Sequence, residues 1–403
     1  MVWTKTDIGE NMTDTKHPTS DVPQDDGPLW QLTRLGQSVW LDYIRRDILE
    51  NGELEGMIRT HAVRGVTSNP AIFEQAIAQS DDYDEALERL VAEGRDASEV
   101  YEILAIEDIQ SAADLLRGVY DESQGTDGFV SLEVSPELAN DTEGTLEEAR
   151  RLWQAVDRPN VMIKVPGTDA GIPAVEQLLF EGLNVNITLL FSLEGYERVM
   201  EAYLRGLERR AEAGEPLERV ASVASFFVSR VDTAVDAQLE KLLEQTHDEE
   251  RKQHIRSPFG KAAIANAKLA YQRFQEKICE SDRFARLREK GAHVQRPLWA
   301  STSTKNPEYR DVIYVEELIG PDTVNTMPLK TLQAFADHGE ARRTVDEDVD
   351  RARAELAALA ELGIDLDRVT AQVQEEGVEK FVTPFRSLLQ SIEEKLTEVA
   401  GRA

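Results

Sequence analysis

Val161-Met-Ile-Lys-Val-Pro166 reads as a buried strand with a lysine in its middle. Pro159-Asn160 precedes the run and Pro166-Gly167 closes it, and both pairs are turn signals. Met162, Ile163 and Val165 surround Lys164 with apolar side chains, so its ammonium has poor access to water. Burial disfavours the charged form of a lysine and lowers its pKa. A neutral amine is a nucleophile, and nucleophilic lysines attack carbonyl carbons to form Schiff bases. The other twelve of the 13 lysines lie mostly in charged or helical surroundings, such as Glu240-Lys241 and Arg251-Lys252. A lysine at a strand end can instead snorkel to solvent, and the neighbouring strands decide between the two readings.

Seven further runs have strand character: Ser38–Asp42, Gly65–Asn69, Phe129–Ser135, Asn184–Phe191, Ala221–Val228, Pro297–Thr302 and Thr323–Met327. Helical patterns separate them. Ile44–His61 follows the first strand, Leu146–Val156 precedes the fourth with Thr145 as its expected N-cap, Ala174–Glu181 precedes the fifth, and Leu193–Ala213 follows it. Strand–helix alternation implies parallel pairing. Eight such strands imply an α/β fold closed as a (β/α)8 TIM barrel, whose active sites lie at the C-terminal strand ends. Longer helical stretches, Asp81–Tyr120 and Asp232–Leu287, fill the second and sixth connections as extra helices, and Leu329–Ala400 forms a helical C-terminal segment. The competing architecture, an open doubly wound sheet, calls for a glycine-rich phosphate loop after its first strand. Here that strand ends in Trp40-Leu41-Asp42-Tyr43.

Residues 1–27 are polar, contain Pro18, Pro23 and Gly27, and lack periodicity. They read as a disordered tail, with Met12 as an alternative start, and residues 28–403 as a single barrel domain that includes the C-terminal helices. The chain has 403 residues, 41% of them hydrophobic, enough for a large core. No apolar stretch is long enough to span a membrane, and the N-terminus lacks a basic-then-apolar export signal, which makes the cytoplasm the expected location. A single cysteine, Cys279, excludes an intramolecular disulfide and a cysteine metal cluster. The six histidines are scattered without metal-ligand spacing. The net charge of −31 argues against nucleic acid and anionic membrane as partners. It also requires a local basic pocket for any anionic substrate. The 76 acidic residues and the low lysine content fit salt adaptation and equally a GC-rich genome.

Strand side chains alternate faces. Asp42 therefore shares a face with Trp40 and Ser38, Asn69 with Thr67, Glu133 with Ser131 and Ser135, and Ser225 with Phe227. Asn184, Asn186 and Thr188 form a polar face opposite Val185, Ile187 and Leu189. Six successive strands thus offer polar groups at corresponding depths, a costly arrangement unless they pair with each other, water or a ligand. The set suits Schiff-base chemistry. Glu133 and Thr188 flank Lys164 and can position a water and move its proton. Asp42 can serve as base for a substrate hydroxyl, while Asn69 and Asn186 can hydrogen-bond hydroxyls. Arg230 can receive a phosphate by charge-assisted hydrogen bonds; its alternative is an ion pair with Asp232 or Asp236.

These residues resemble the transaldolase family. The matching segments are Val66-Thr-Ser-Asn-Pro-Ala-Ile-Phe73, Ser131-Leu-Glu-Val-Ser-Pro136, Val161-Met-Ile-Lys-Val-Pro-Gly-Thr168, Asn184-Val-Asn-Ile-Thr-Leu-Leu-Phe-Ser192, Ser225-Phe-Phe-Val-Ser-Arg230, Arg296-Pro-Leu-Trp-Ala-Ser-Thr-Ser-Thr-Lys-Asn-Pro307 and Tyr314–Pro328. The resemblance runs from about residue 29 to the C-terminus, and the length is similar to that of the longer bacterial branch. It implies transfer of a dihydroxyacetone unit from sedoheptulose 7-phosphate to glyceraldehyde 3-phosphate, giving erythrose 4-phosphate and fructose 6-phosphate, without metal or organic cofactor. It further implies Lys164 as the Schiff-base lysine, Asp42 as the acid/base for C–C cleavage, and Glu133 with Thr188 as the water-activating pair. Asn69, Asn186 and Ser225 match substrate-contacting positions, and Arg230 a phosphate-binding arginine. Shorter members carry a second phosphate-binding arginine in an Ala-Ser-Phe-Arg stretch. This chain has Ala300-Ser301-Thr302-Ser303-Thr304-Lys305 there, which makes Lys305 the candidate for that role as a point charge. Sugar phosphates are the expected partners, and monomer and homodimer both remain open. A Schiff-base aldolase releasing free dihydroxyacetone and a non-catalytic barrel scaffold are the competing functions. A scaffold is expected to have lost the lysine or an acid, and this chain keeps Lys164, Asp42 and Glu133.

Overall fold

The computed structural model describes residues 27–78 and 80–402. All but the last residue of the expected disordered tail lies outside them. The strands are β1 (Gln37–Leu41), β2 (Val63–Thr67), β3 (Phe129–Glu133), β4 (Val161–Pro166), β5 (Val185–Leu190), β6 (Ser222–Phe227), β7 (Arg296–Ala300) and β8 (Thr323–Met327). Each pairs in parallel with the next, and β8 pairs with β1, so the barrel closes in sequence order. All but two of the strand residues, Arg64 and Arg296, are buried. Burial on both faces is what a parallel sheet wrapped in helices requires, and it explains why the strands read as nearly continuous apolar runs. Closure also leaves no unpaired edge to template aggregation.

The interior is a packed core. The Trp40 indole fills the barrel floor over Gly65, where an added Cβ would lie 2.5 Å from the ring, so only glycine fits. Trp40 Nε1 donates to Asp127 at 3.0 Å, and Arg296 donates to Ser38 at 2.8 Å. Ser38 and Trp40 thus serve the N-terminal floor, leaving Asp42 alone of its face at the opposite rim.

Extra helices occupy the second connection (Pro70–Phe73, Asp84–Ala92, Ala97–Leu115 and Arg117–Glu122) and the sixth (Ser229–Gln245, Glu249–Arg256, Ala262–Phe274 and Asp282–Arg288). The C-terminal segment ends in a 37-residue helix, Leu366–Arg402. Three local expectations differ. The helix expected over Ile44–His61 is two, Arg46–Glu50 and Glu53–Thr60. Gly52 between them sits at φ 83 and Asn51 Oδ1 accepts from Glu53 N at 2.8 Å, an Asn-Gly turn that ends one helix and starts the next. The N-cap of the Thr142–Val156 helix is Asp141, whose carboxylate accepts from Gly144 N, and not Thr145, whose hydroxyl donates to Leu138 O at 3.1 Å. Finally, strict alternation fails along β5. Its register with β6 shifts between Ile187 and Leu190, and Leu189 takes φ 62. This bulge, unfavourable for a branched residue, lies directly after Thr188.

The C-terminal helix crosses the rim where β4, β5 and β6 end. Gln374 donates to Leu189 O at 2.9 Å and Gly167 O at 3.2 Å, so it holds the bulge. A Cβ at Gly377 would lie 3.0 Å from Leu189 and 3.6 Å from the Arg230 guanidinium; the glycine lets the helix settle this close. Farther along, Arg386 pairs with Glu137 at 2.8 Å and Lys395 donates to Ile77 O and Ser80 O, both at 2.9 Å.

Candidate active site

The register Glu133↔Lys164↔Asn186 sets three polar residues side by side on β3, β4 and β5. Lys164 is 5% exposed and Glu133 6%. Lys164 Nζ donates to Ser68 O at 3.0 Å and lies 3.0 Å from Glu133 Oε2. The contact with Glu133 is an ion pair, and among the described residues no other donor reaches either carboxylate oxygen. Thr188 Oγ1 is likewise buried without a partner among the described residues. The lysine therefore does not snorkel; it is held inside the rim.

A cavity of about 180 Å³ opens at this end of the barrel, lined by Asp42, Asn69, Lys164, Thr188, Ser225, Arg230 and Lys305 among others. Asp42 follows β1 and accepts from Thr67 Oγ1 at 2.7 Å; Thr67 in turn shares a 2.6 Å hydrogen bond with Thr326. Burial raises the carboxyl pKa values of Asp42 and Glu133, and the Lys164 charge opposes that rise in both. Two acids with raised pKa values beside one cation suit acid/base work.

Asn69 caps the Pro70–Phe73 helix: its Oδ1 accepts from Ile72 N at 3.1 Å, which leaves its amide N–H groups for the cavity. Asn186 is fully buried beneath the cavity, donating to Ser131 Oγ at 3.0 Å and accepting from Ser225 Oγ at 2.7 Å. It orients Ser225, which does line the cavity, and does not line it itself. Asn184 has a structural part, donating to Pro159 O and Val161 O and accepting from Ala221 N.

Arg230 lies in the first turn of the Ser229–Gln245 helix, stacked 5.0 Å from the Phe227 ring and 6.0 Å from Phe381. Its Nη1 is buried without a partner, and no carboxylate lies within ion-pair distance among the described residues. Burial lowers its pKa, and Asp42 and Glu133 oppose this from a distance. The Asp232 and Asp236 carboxylates accept from Tyr314 and Tyr309 instead. Lys305 reaches the same cavity and donates to Ser303 Oγ at 2.8 Å; burial, then the Arg230 charge, lowers its pKa. Two cations without carboxylate partners among the described residues, at one end of a cavity, have the chemistry to receive an anion. A second cavity, about 200 Å³ between the Ala262–Phe274 and Val349–Glu361 helices, is different: its Lys261, Lys268 and Arg351 pair with Glu355 and Glu317.

Comparison with known proteins shows the family. The family model described as transaldolase/fructose-6-phosphate aldolase matches residues 39–392. The chain is 47% identical to a transaldolase of Trichodesmium erythraeum over 92% of this chain and 98% of that one. It is 50% identical to one of Thiobacillus denitrificans over 90% and 98%, and 48% identical to one of Mycolicibacterium smegmatis over 91% and 96%. The chain belongs to the transaldolase family. That family is one of enzymes, transferases by class, so the scaffold reading falls away.

Within that transaldolase-family barrel, several residues in and around the cavity were not among the expected ones. Thr67 and Thr326 support Asp42, Ser68 supplies the carbonyl that holds Lys164, and Ser301 and Ser303 line the cation end. Thr67 and Thr326 were findable by the alternation rule applied to β2 and β8. Phe381, whose ring lies 5.4 Å from Lys164 Nζ, was not, because nothing in a helix near residue 380 marks it as facing residue 164.

Proposed function

We propose that the chain transfers a dihydroxyacetone unit from sedoheptulose 7-phosphate to glyceraldehyde 3-phosphate through a Schiff base on Lys164, without metal or cofactor. The observation that carries this reading is the Lys164 amine beside Glu133, on a cavity wall shared with Asp42 and the Arg230–Lys305 cation pair. Glu133, 3.0 Å away, takes the ammonium proton. The neutral amine attacks the ketose C2 carbonyl carbon. Glu133 then returns a proton to the carbinolamine hydroxyl, which leaves as water, with Thr188 Oγ1 as the second group able to hold that water. Asp42 removes the proton of the C4 hydroxyl, the C3–C4 bond breaks, and its electrons move into the iminium to give an enamine. Erythrose 4-phosphate leaves, the three-carbon enamine adds to glyceraldehyde 3-phosphate by the reverse steps, and water releases fructose 6-phosphate.

Asn69 and Ser225 face the sugar hydroxyls; Asn186 acts through Ser225. Arg230 and Lys305 receive the phosphate. The enamine must survive until the acceptor arrives, and the C-terminal helix favours this by placing the Phe381 ring against Lys164 and Arg230. That favours transfer over release of free dihydroxyacetone. The substrates are soluble sugar phosphates and, among the described residues, no helix is long and apolar enough to cross a membrane; the proposed location is the cytoplasm. The test is product analysis with both substrates. Erythrose 4-phosphate and fructose 6-phosphate in equal amounts support transfer, and free dihydroxyacetone as the main product refutes it.

A further inference from the structure

We propose that Tyr309 and Asp236 form a strap that positions Lys305 for the phosphate of the substrate; the inference rests on the reading of Arg230 and Lys305 as the phosphate site. Residues 301–312, between β7 and the short Ile313–Glu316 helix, carry Ser301, Ser303 and Lys305 to the cavity. Among the described residues, the Lys305 amine is tethered only by Ser303, two residues away on the same loop. A long flexible side chain held in this way points where its backbone points, so the anchors of the loop set the place of the charge.

The near end of the loop is fixed by Ser229: its N–H donates to Ser301 O at 3.1 Å and the two hydroxyls lie 2.9 Å apart. Ser301 has φ 57, a conformation a non-glycine residue keeps only when its surroundings hold it. The far end is fixed by Tyr309, whose hydroxyl donates to Asp236 Oδ2 at 2.7 Å while Gly260 N donates to Oδ1 at 3.1 Å. The Tyr309 ring rests on Gly260, where a Cβ would lie 2.7 Å from it and φ is 65. One turn earlier on the same helix, Asp232 repeats the pattern with Ala263 N at 2.7 Å and Tyr314 at 2.8 Å.

The two carboxylates differ in what they hold. Asp232 and Tyr314 are both almost fully buried and join the helix to the core. Tyr309 is only partly buried and lies four residues beyond Lys305, so its hydrogen bond closes the loop itself. Asp236 lies six residues, under two helical turns, beyond Arg230 on the Ser229–Gln245 helix. One rigid element therefore presents one phosphate cation directly and grips the loop that presents the other. Tyr309 and Asp236 are positioning residues: neither lines the cavity.

Tyr309→Phe keeps the ring on Gly260 and removes only the hydroxyl. The ratio of kcat/KM for fructose 6-phosphate over fructose should fall about 3- to 10-fold, through KM, with kcat kept. Asp236→Ala should do the same, and Asp236→Asn, which still offers an oxygen to Tyr309, should recover part of the loss. The double variant Lys305→Ala/Tyr309→Phe should be no worse than Lys305→Ala alone, because the strap acts only through that lysine. Equal losses for the two sugars, or losses that multiply in the double variant, would overturn the strap while leaving the phosphate site standing. An unchanged ratio in Lys305→Ala would instead overturn the phosphate reading of Lys305, and the strap with it.

Discussion

Removing Arg230 should separate binding from stability. In the free protein its Nη1 is buried without a hydrogen bond, and Asp42 and Glu133 act on it only through space. At Nη1 the guanidinium has therefore given up water without gaining an ionic partner among the described residues. On the proposed function that group waits for the substrate phosphate, and its removal relieves the folded state of a partly desolvated charge. Arg230→Ala loses packing against Phe227 and Phe381 in return, so the melting temperature should stay near wild type. The loss falls on the substrate phosphate. A charge-assisted hydrogen bond contributes roughly 1.5–3 kcal/mol net, and the absence of an internal competitor for Nη1 allows the full amount. That corresponds to about a 10- to 150-fold fall in kcat/KM for fructose 6-phosphate. Fructose should lose far less. Arg230→Lys should recover only part, since a point charge cannot replace the planar fork. Steady-state kinetics on both sugars, with thermal melts of the same samples, make the check. A melting temperature well below wild type, or equal losses on the two sugars, would show that Arg230 is structural and that the phosphate binds elsewhere.

Glu133→Gln should slow imine formation and hydrolysis by about 10²–10⁴-fold, so borohydride-trapped adduct should accumulate slowly. Asp42→Asn should still form the imine but stall before cleavage, and its trapped adduct should retain the whole sugar; identical trapping in the two variants refutes this division of labour. Phe381→Leu, which removes the ring beside Lys164, should raise release of free dihydroxyacetone relative to transfer, measured with and without acceptor aldehyde. Burial pushes the Asp232 carboxyl up to about 7 despite its bonds to Ala263 N and Tyr314. A raised carboxyl pKa favours the folded state while protonated, so its stabilisation is full below about pH 4 and is lost as pH rises through about 7. The melting temperature should therefore fall between about pH 4 and 7 and level off above that, and Asp232→Asn, neutral throughout, should flatten the slope.

The barrel was legible because parallel strands buried on both faces produce compact apolar runs, and β4 and β8 have the bounds that those runs indicate. Most other strand ends differ by one or two residues, since the last ladder bond depends on the neighbouring strand. Alternation placed Asp42, Asn69, Thr188 and Ser225 at the cavity and Glu133 against Lys164. It could not give depth: Asn186 and Ser225 look alike in sequence, yet one is a buried support and the other lines the cavity. Nor could it foresee the β5 bulge, because Leu189 adopts its positive φ under the hold of Gln374, 185 residues away. Phe381 and Tyr309 were illegible for the same reason. Their partners belong to other elements, and each sits in a stretch whose local pattern is already explained by helix or turn.

The proposed Schiff base on Lys164 can be trapped by borohydride reduction in the presence of fructose 6-phosphate and located by peptide mass mapping. With no acceptor aldehyde, cleavage leaves a three-carbon unit on the enzyme. The account predicts a reduced dihydroxyacetone adduct on Lys164 alone, and none in Lys164→Arg, whose charged guanidinium cannot form the imine. An adduct on another lysine, such as the buried Lys268, or no adduct in a chain that still turns over, would contradict it.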